Sequence, residues 1–205
     1  MDLEKYRATI GVERLQSFCV GMKNVTESDL LKIYELNIKV SQSLYPALST
    51  IEIHLRNAID TMMQTIFSKT WLEDEILNNK ILYEYDYQKL QSAYNTLKIK
   101  YGTNNITHGK LISELTFGFW VNLCSKKYNP KIWTKKGAFR GVFVNFDKSK
   151  KEEIHEISSK LNKIKKLRNR VFHYEPILYK KEKFGEIYNI ICEIVAYLPQ
   201  DGSEM

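Results

Sequence analysis

Residues 154–177 read IHEISSKLNKIKKLRNRVFHYEPI, and their periodicity sets the class of the whole chain. The apolar positions Ile154, Ile157, Leu161, Ile164 and Val171 recur at intervals of mostly three and four, the repeat of one face of an α-helix. The spacing predicts a helix from about Lys148 to Tyr174. Pro176 closes it, because proline disfavours helical geometry in the residue before it. Arg168 takes the next seam position, near the centre of the apolar face, where a charge needs a partner; Glu114 and Glu52 are the candidates. Asn169 and His173 are four apart and share a flank, with His173 about 140° around the helix from Arg168. Arg168 and His173 of one helix therefore do not readily converge on one phosphate. Two copies packed about a two-fold axis close that gap, so a homodimer is expected.

Outward from this helix the same period recurs. A helix over about 2–20 is followed by Thr26-Glu27-Ser28-Asp29, a capping box that opens a helix through about Leu44. Pro46 either opens the next helix or kinks one long one. Leu48, Ile51, Leu55, Ile59, Met62 and Ile66 give that helix its buried stripe. Further helical stretches cover about 86–101 and 108–127, and a last one runs from Lys181 to Leu198. Between Asn129 and Phe146 the pattern breaks into Pro130, Gly137, Gly141 and several aromatics. That reads as one long loop near 129–147 with room for a short strand over Val142 to Phe146. No repeat and no linker divides the chain. The expectation is an all-α, single-domain helical bundle spanning residues 1–205, large enough to bury about 70% of its unfolded surface.

Composition narrows the function. The densest apolar run, Leu111 to Cys124, is too short to span a bilayer and contains Glu114, so no membrane partner is expected. Met1 to Tyr6 lacks the basic start and apolar core of a secretory signal, so the protein is expected to remain in the cytoplasm. Cys19, Cys124 and Cys192 are odd in number and scattered, as reduced thiols are. The net charge of +7 is concentrated: residues 160–183 hold nine Lys or Arg against Glu175 and Glu182, a surplus equal to that of the whole chain. Such a strip suits phosphate, and its bland alternative is a solvated helix face. His54, His108 and His155 show no metal-ligand spacing with the cysteines, and HExxH, CxxC, phosphate-loop and GxSxG patterns are absent. Neither a metal nor another cofactor is expected.

The run from Leu167 to Ile177, LRNRVFHYEPI, resembles the signature of the Abi-like (abortive infection) family, RNxxxH followed by an E-P-I turn. It also resembles the wider HEPN ribonuclease motif, in which four to six residues separate Arg from His. Two further blocks agree with that family in content and order: Leu44-Tyr45-Pro46-Ala47-Leu48-Ser49 through Leu55-Arg56-Asn57-Ala58-Ile59, and Glu114-Leu115-Thr116-Phe117-Gly118-Phe119-Trp120. The likeness spans roughly residues 34 to 177. One departure is Tyr174, where many relatives carry a second histidine.

The resemblance implies a HEPN-like helical bundle and a metal-independent endoribonuclease, a toxin of phage defence that cleaves RNA at a composite dimer site. Its expected partners are RNA, a second copy of the chain, and an antitoxin of RNA or protein. The chemistry agrees: attack by the RNA 2′-OH on the adjacent phosphate needs proton transfer and stabilisation of a more negative phosphorane. His173 supplies the first, and the planar, permanently charged Arg168 the second. Asn169 is placed one turn from His173 to orient its imidazole. Lys165, Lys166 and Arg170 are expected to track the RNA backbone. Glu52, Arg56 and Asp60 form an i,i+4 ladder that, with Asn57 and Glu114, is expected to buttress the active helix. The alternative is a non-catalytic HEPN module that binds RNA or protein through the same strip.

Overall fold

The computed structural model describes residues 9–20, 24–147, 149–151, 154–177 and 184–199. Among them every regular element is helical and no strand occurs. A short helix α1 (Val12–Ser17) precedes the spine of the bundle, α2 (Glu27–Ile66), which is 40 residues long. Residues 1–8 of the helix expected over 2–20 lie outside the described residues, and Gly11, at φ 89°, interrupts the remainder just before α1.

The capping box forms as expected. Asp29 N–H donates to Thr26 Oγ1 at 3.2 Å and Thr26 N–H donates to Asp29 Oδ2 at 3.1 Å. The Thr26 hydroxyl, which donates to Asp29 Oδ2 at 2.5 Å, and then the Thr26 N–H hold the Asp29 carboxyl below the usual carboxylate range. Pro46 lies inside α2 and does not end it. Its missing N–H and ring clash cost about 3 kcal/mol. On both sides of it, however, Leu44, Leu48, Ile51 and Leu55 are at most 2% exposed, and burying each contributes about 1.5–3 kcal/mol. The continuous stripe carries the helix through the proline.

Helices α3 (Trp71–Asn78) and α4 (Glu84–Tyr101) follow. The helix expected over 108–127 is two: α5 (His108–Glu114) and α6 (Phe117–Leu123), separated by Leu115 and Thr116 in extended geometry. Phe117, Phe119, Trp120, Val121 and Leu123 are all buried, so α6 is enclosed except along the half-buried stripe of Gly118 and Asn122. The break lets it leave the half-exposed course of α5 and enter the core.

The long loop expected near 129–147 is largely helical. A π-type turn over Asn129–Trp133 leads to α7 (Ala138–Val142), and the strand envisaged over Val142 to Phe146 is replaced by the end of α7 and a turn. The aromatics explain the order. Phe139 packs on Phe143 at 5.1 Å and on Phe146 at 5.0 Å, and Phe146 meets Tyr197 at 5.0 Å. Gly141 permits the close approach to α2, since a Cβ there would stand 3.2 Å from Met62 Cγ.

The last two helices are α8 (Ile154–Phe172) and α9 (Phe184–Tyr197). Helix α8 packs on α6, α9 and α2 through Ile154, Ile157, Leu161, Ile164, Leu167 and Val171. Leu167, not Arg168, thus fills the seam. After Ile164 the buried face advances by three and then four residues, which sets Arg168 about 100° off the seam, on its margin. No helix among the described residues is long and apolar enough to cross a membrane.

Candidate functional site

At the margin of α8 the Arg168 Nε donates to Glu52 Oε2 of α2 at 3.2 Å, and the two side chains are 24% and 25% exposed. Of the two acids expected to pair with Arg168, Glu52 does so. Glu114 is exposed at the end of α5 and has no ion-pair partner among the described residues. The Arg168 guanidinium also lies over the Phe172 ring, 4.2 Å from its centroid. One edge is held by Glu52 and the face by Phe172, while the terminal nitrogens make no hydrogen bond among the described residues. That leaves the forked edge, the part that matches two phosphate oxygens, presented outward.

The partner to Arg168 comes from the same chain, so its position on α8 does not by itself call for a second helix. The 140° offset from His173 remains.

The C-terminal end of α8 is closed by a complete Schellman motif. Glu175 N–H donates to Arg170 O at 2.8 Å and Tyr174 N–H to Val171 O at 3.2 Å, with Tyr174 at φ 55° in the left-handed position where glycine is usual. Two distant residues, neither singled out by the sequence, fasten this end. Arg14 of α1 donates from Nη2 to the His173 and Tyr174 carbonyls at 3.1 and 3.3 Å. Asn37 of α2, only 2% exposed, accepts from Ile177 N–H at 2.8 Å and donates to Glu175 O at 3.3 Å. The E-P-I turn is thereby locked to α2. An isolated Asn in a helical pattern gives no sequence signal for such a role, although its place on the inner face of α2 was readable.

The backbone of His173 is consequently fixed while its imidazole is exposed and makes no hydrogen bond among the described residues. Asn169 is exposed too, and only its carbonyl contacts His173, accepting the His173 N–H at 2.9 Å. The expected bond from the Asn169 side chain to the imidazole is absent from the described contacts.

The basic residues divide. Lys166 is exposed and Arg170 half-exposed on the outer side of α8. Lys165 runs along α6, its Cδ 3.9 Å from where a Gly118 Cβ would stand. Burial, and then the neighbouring Lys166 charge, push its pKa down, and Asp86 opposes the shift. Lys180, Lys181 and Lys183 of the basic strip lie outside the described residues.

The ladder expected along α2 does not form. Glu52 turns to Arg168, Arg56 Nε donates to Asn57 Oδ1 at 3.2 Å, and Asp60 serves another cluster. Asp60, 5% exposed, accepts from Trp71 Nε1 at 2.8 Å and from Gln64 at 2.6 Å, and lies 2.8 Å from His108 Nε2. The other His108 nitrogen is 2.9 Å from Glu73. Burial opposes charging of this imidazole, yet its bonds to Glu73 and Asp60 outweigh burial and raise its pKa. Among the described residues Glu52 is the member of the ladder with a hydrogen bond to α8; Arg56 and Asn57 bond each other. Among the described residues no three His, Cys, Asp or Glu are grouped to hold a metal ion.

Beside Phe172 an apolar groove of about 430 Å³ opens between α2 and the end of α8. Tyr45 stacks on Phe172 along its wall, with ring centroids 5.3 Å apart and planes inclined at 26°. Compared with known proteins, the chain matches no protein-family model, no curated protein and no solved structure.

Proposed function

We propose that the protein is a metal-independent endoribonuclease acting in the cytoplasm, with Arg168 and His173 at its centre. The observation that carries this reading is the Arg168 guanidinium, pinned at Nε by Glu52 while its terminal nitrogens have no hydrogen-bond partner among the described residues. A purely structural arginine spends those donors; a phosphate ligand needs them. The three ordered blocks resembling the Abi-like family support the same reading and add its biological setting, a toxin of phage defence restrained by an RNA or protein antitoxin.

In this mechanism the RNA 2′-OH attacks the adjacent phosphorus while a neutral His173 accepts its proton. The P–O5′ bond breaks, the 5′ oxygen takes a proton from the His173 of a second protomer, and a 2′,3′-cyclic phosphate results. Arg168 stabilises the phosphorane. Helices α8 of two protomers meeting about a two-fold axis supply both imidazoles. A monomer in light scattering at micromolar concentration would remove the composite site.

The alternative, an RNA-binding module that cuts nothing, is favoured by one observation: no hydrogen bond among the described residues orients the His173 imidazole. One assay separates the two. Purified protein should cut RNA in EDTA, and His173→Ala and Arg168→Ala should each remove most activity while remaining folded by circular dichroism. A single 2′-deoxy nucleotide at the cut site should block cleavage. Cutting of that deoxy substrate, or strict dependence on added magnesium, would reject the mechanism; full activity in folded His173→Ala would reject the site.

A further inference from the structure

We infer that the groove beside Phe172 is a nucleobase subsite, which holds an unstacked base of single-stranded RNA next to Arg168. This rests on the ribonuclease reading and adds how that site would choose its RNA. Three observations converge on a base. The wall is largely aromatic: Tyr45 stacks nearly parallel on Phe172, Phe18, Tyr34 and Tyr174 also line it, and Tyr45 and Tyr174 are 55% and 70% exposed, which leaves ring surface open to a ligand. Planar bases stack on such faces, whereas an aliphatic ligand gains nothing from the parallel geometry.

The groove also contains polar groups in need of partners. Ser41 Oγ is buried there without a hydrogen bond among the described residues. Pro46, also in the lining, has no N–H to give the carbonyl of Gln42 four residues earlier, and Gln42 lines the groove as well. A hydroxyl and a carbonyl acceptor together suit the adjacent donor and acceptor on the edge of a base, such as the amino group and ring nitrogen of cytosine or adenine, or the N3–H and O4 of uracil.

The third observation is charge. Among the described residues no carboxylate lines the groove. Its Phe172 wall carries the Arg168 guanidinium at 4.2 Å, and Arg14 binds the carbonyls of His173 and Tyr174 at its end. A base in the groove would set its own phosphate toward Arg168, which couples base recognition to the proposed point of cleavage.

The test is binding of the full chain to short single-stranded 2′-O-methyl RNA, which lacks the attacking hydroxyl, compared with an abasic strand of equal length and charge. The wild-type chain should prefer the base-bearing strand. Tyr45→Ala should weaken base-bearing binding by about five- to 150-fold, the worth of one lost stack, leave abasic binding unchanged, and be rescued by Tyr45→Phe. Equal loss on both strands, or no loss on either, would overturn the subsite. A fall in oligomeric mass in Tyr45→Ala would instead assign the groove to contact with a second copy. If the wild-type chain binds neither strand, the RNA reading falls with the subsite; if it binds both equally, the subsite alone falls.

Discussion

Replacing Arg168 and Glu52 singly and together by alanine measures what their ion pair contributes, and the structure fixes the scale in advance. The pair makes one contact, Nε to Oε2 at 3.2 Å, between side chains 24% and 25% exposed. It is neither bidentate nor buried. A part-buried pair with a single contact should lie nearer the about 0.2–1 kcal/mol of exposed pairs than the about 3–5 kcal/mol for breaking a buried one. Arg168→Ala further loses its contact with the Phe172 face, at 4.2 Å, for about 0.5–1 kcal/mol. The expected loss is about 1–2 kcal/mol in total, within the margin of an ordinary domain. Urea unfolding of the wild type, both single variants and the double variant gives the coupling directly. A coupling above about 2 kcal/mol, or an unfolded Arg168→Ala chain, would show that the pair behaves as a buried one and refute this reasoning. The functional consequence is that Arg168→Ala stays folded, so that lost cleavage reports lost chemistry. Glu52→Ala, which keeps the guanidinium, should reduce cleavage less.

Asn37→Ala removes the acceptor of the Ile177 N–H and should cost about 1–3 kcal/mol, because that buried donor is left unpaired; a urea midpoint equal to wild type would show that the turn finds another partner. His108 has a raised pKa in the folded chain, so its contribution is fully present below the unfolded value, about 6.5, and is lost as pH rises through the folded one. Wild type should therefore lose stability relative to His108→Gln between about pH 6.5 and the folded value, as read by urea midpoints across that range; a pH-independent difference would reject the charged clamp. Replacing Lys166 and Arg170 together by alanine should weaken RNA binding and lower the slope of log affinity against log salt by about 2, whereas Lys165→Ala, its side chain laid along α6, should change that slope by less than about 1; an unchanged slope in the double variant would make the strip a solvated face.

The elements read correctly from sequence are those whose signal is local. Thr26 to Asp29 carries a whole capping motif in four residues, and the stripe from Leu48 to Ile66 repeats often enough to define a helix face. The errors arise where tertiary packing decides. Pro46 speaks locally for a boundary, and only the burial of Leu44 and Leu48 on either side keeps α2 continuous. The segment 129–147 lacks periodicity because its helical turns are too short to repeat, and its aromatics order it through each other and Tyr197. Placing Arg168 in the seam failed for a smaller reason: at 3.6 residues per turn both a three-residue and a four-residue step after Ile164 are allowed, and only the neighbouring helices select Leu167. Asp60 shows the same limit, since its partners Trp71 and His108 come from α3 and α5, beyond any spacing rule along α2.

The site itself divides along one line, between backbone that is fixed and side chains that are free. Asn37, Arg14 and the Schellman bonds fasten residues 173–177 from three directions, a heavy investment for an exposed helix end that would otherwise need only water. None of these contacts orders the His173 imidazole, and only one edge of Arg168 is held. A functional group on a rigid element needs its remaining freedom removed by whatever completes the site. Here the candidates are a phosphate, which would engage the open fork of Arg168, and the facing protomer, which would bring a second imidazole. The fixed backbone makes that completion inexpensive, because only side-chain rotamers are left to order, about 0.5–1.5 kcal/mol for each side chain. Loosening the turn through Asn37 should accordingly depress cleavage more than it depresses RNA binding, since Lys166 and Arg170, the proposed phosphate contacts, lie before the fastened end and the imidazole lies on it.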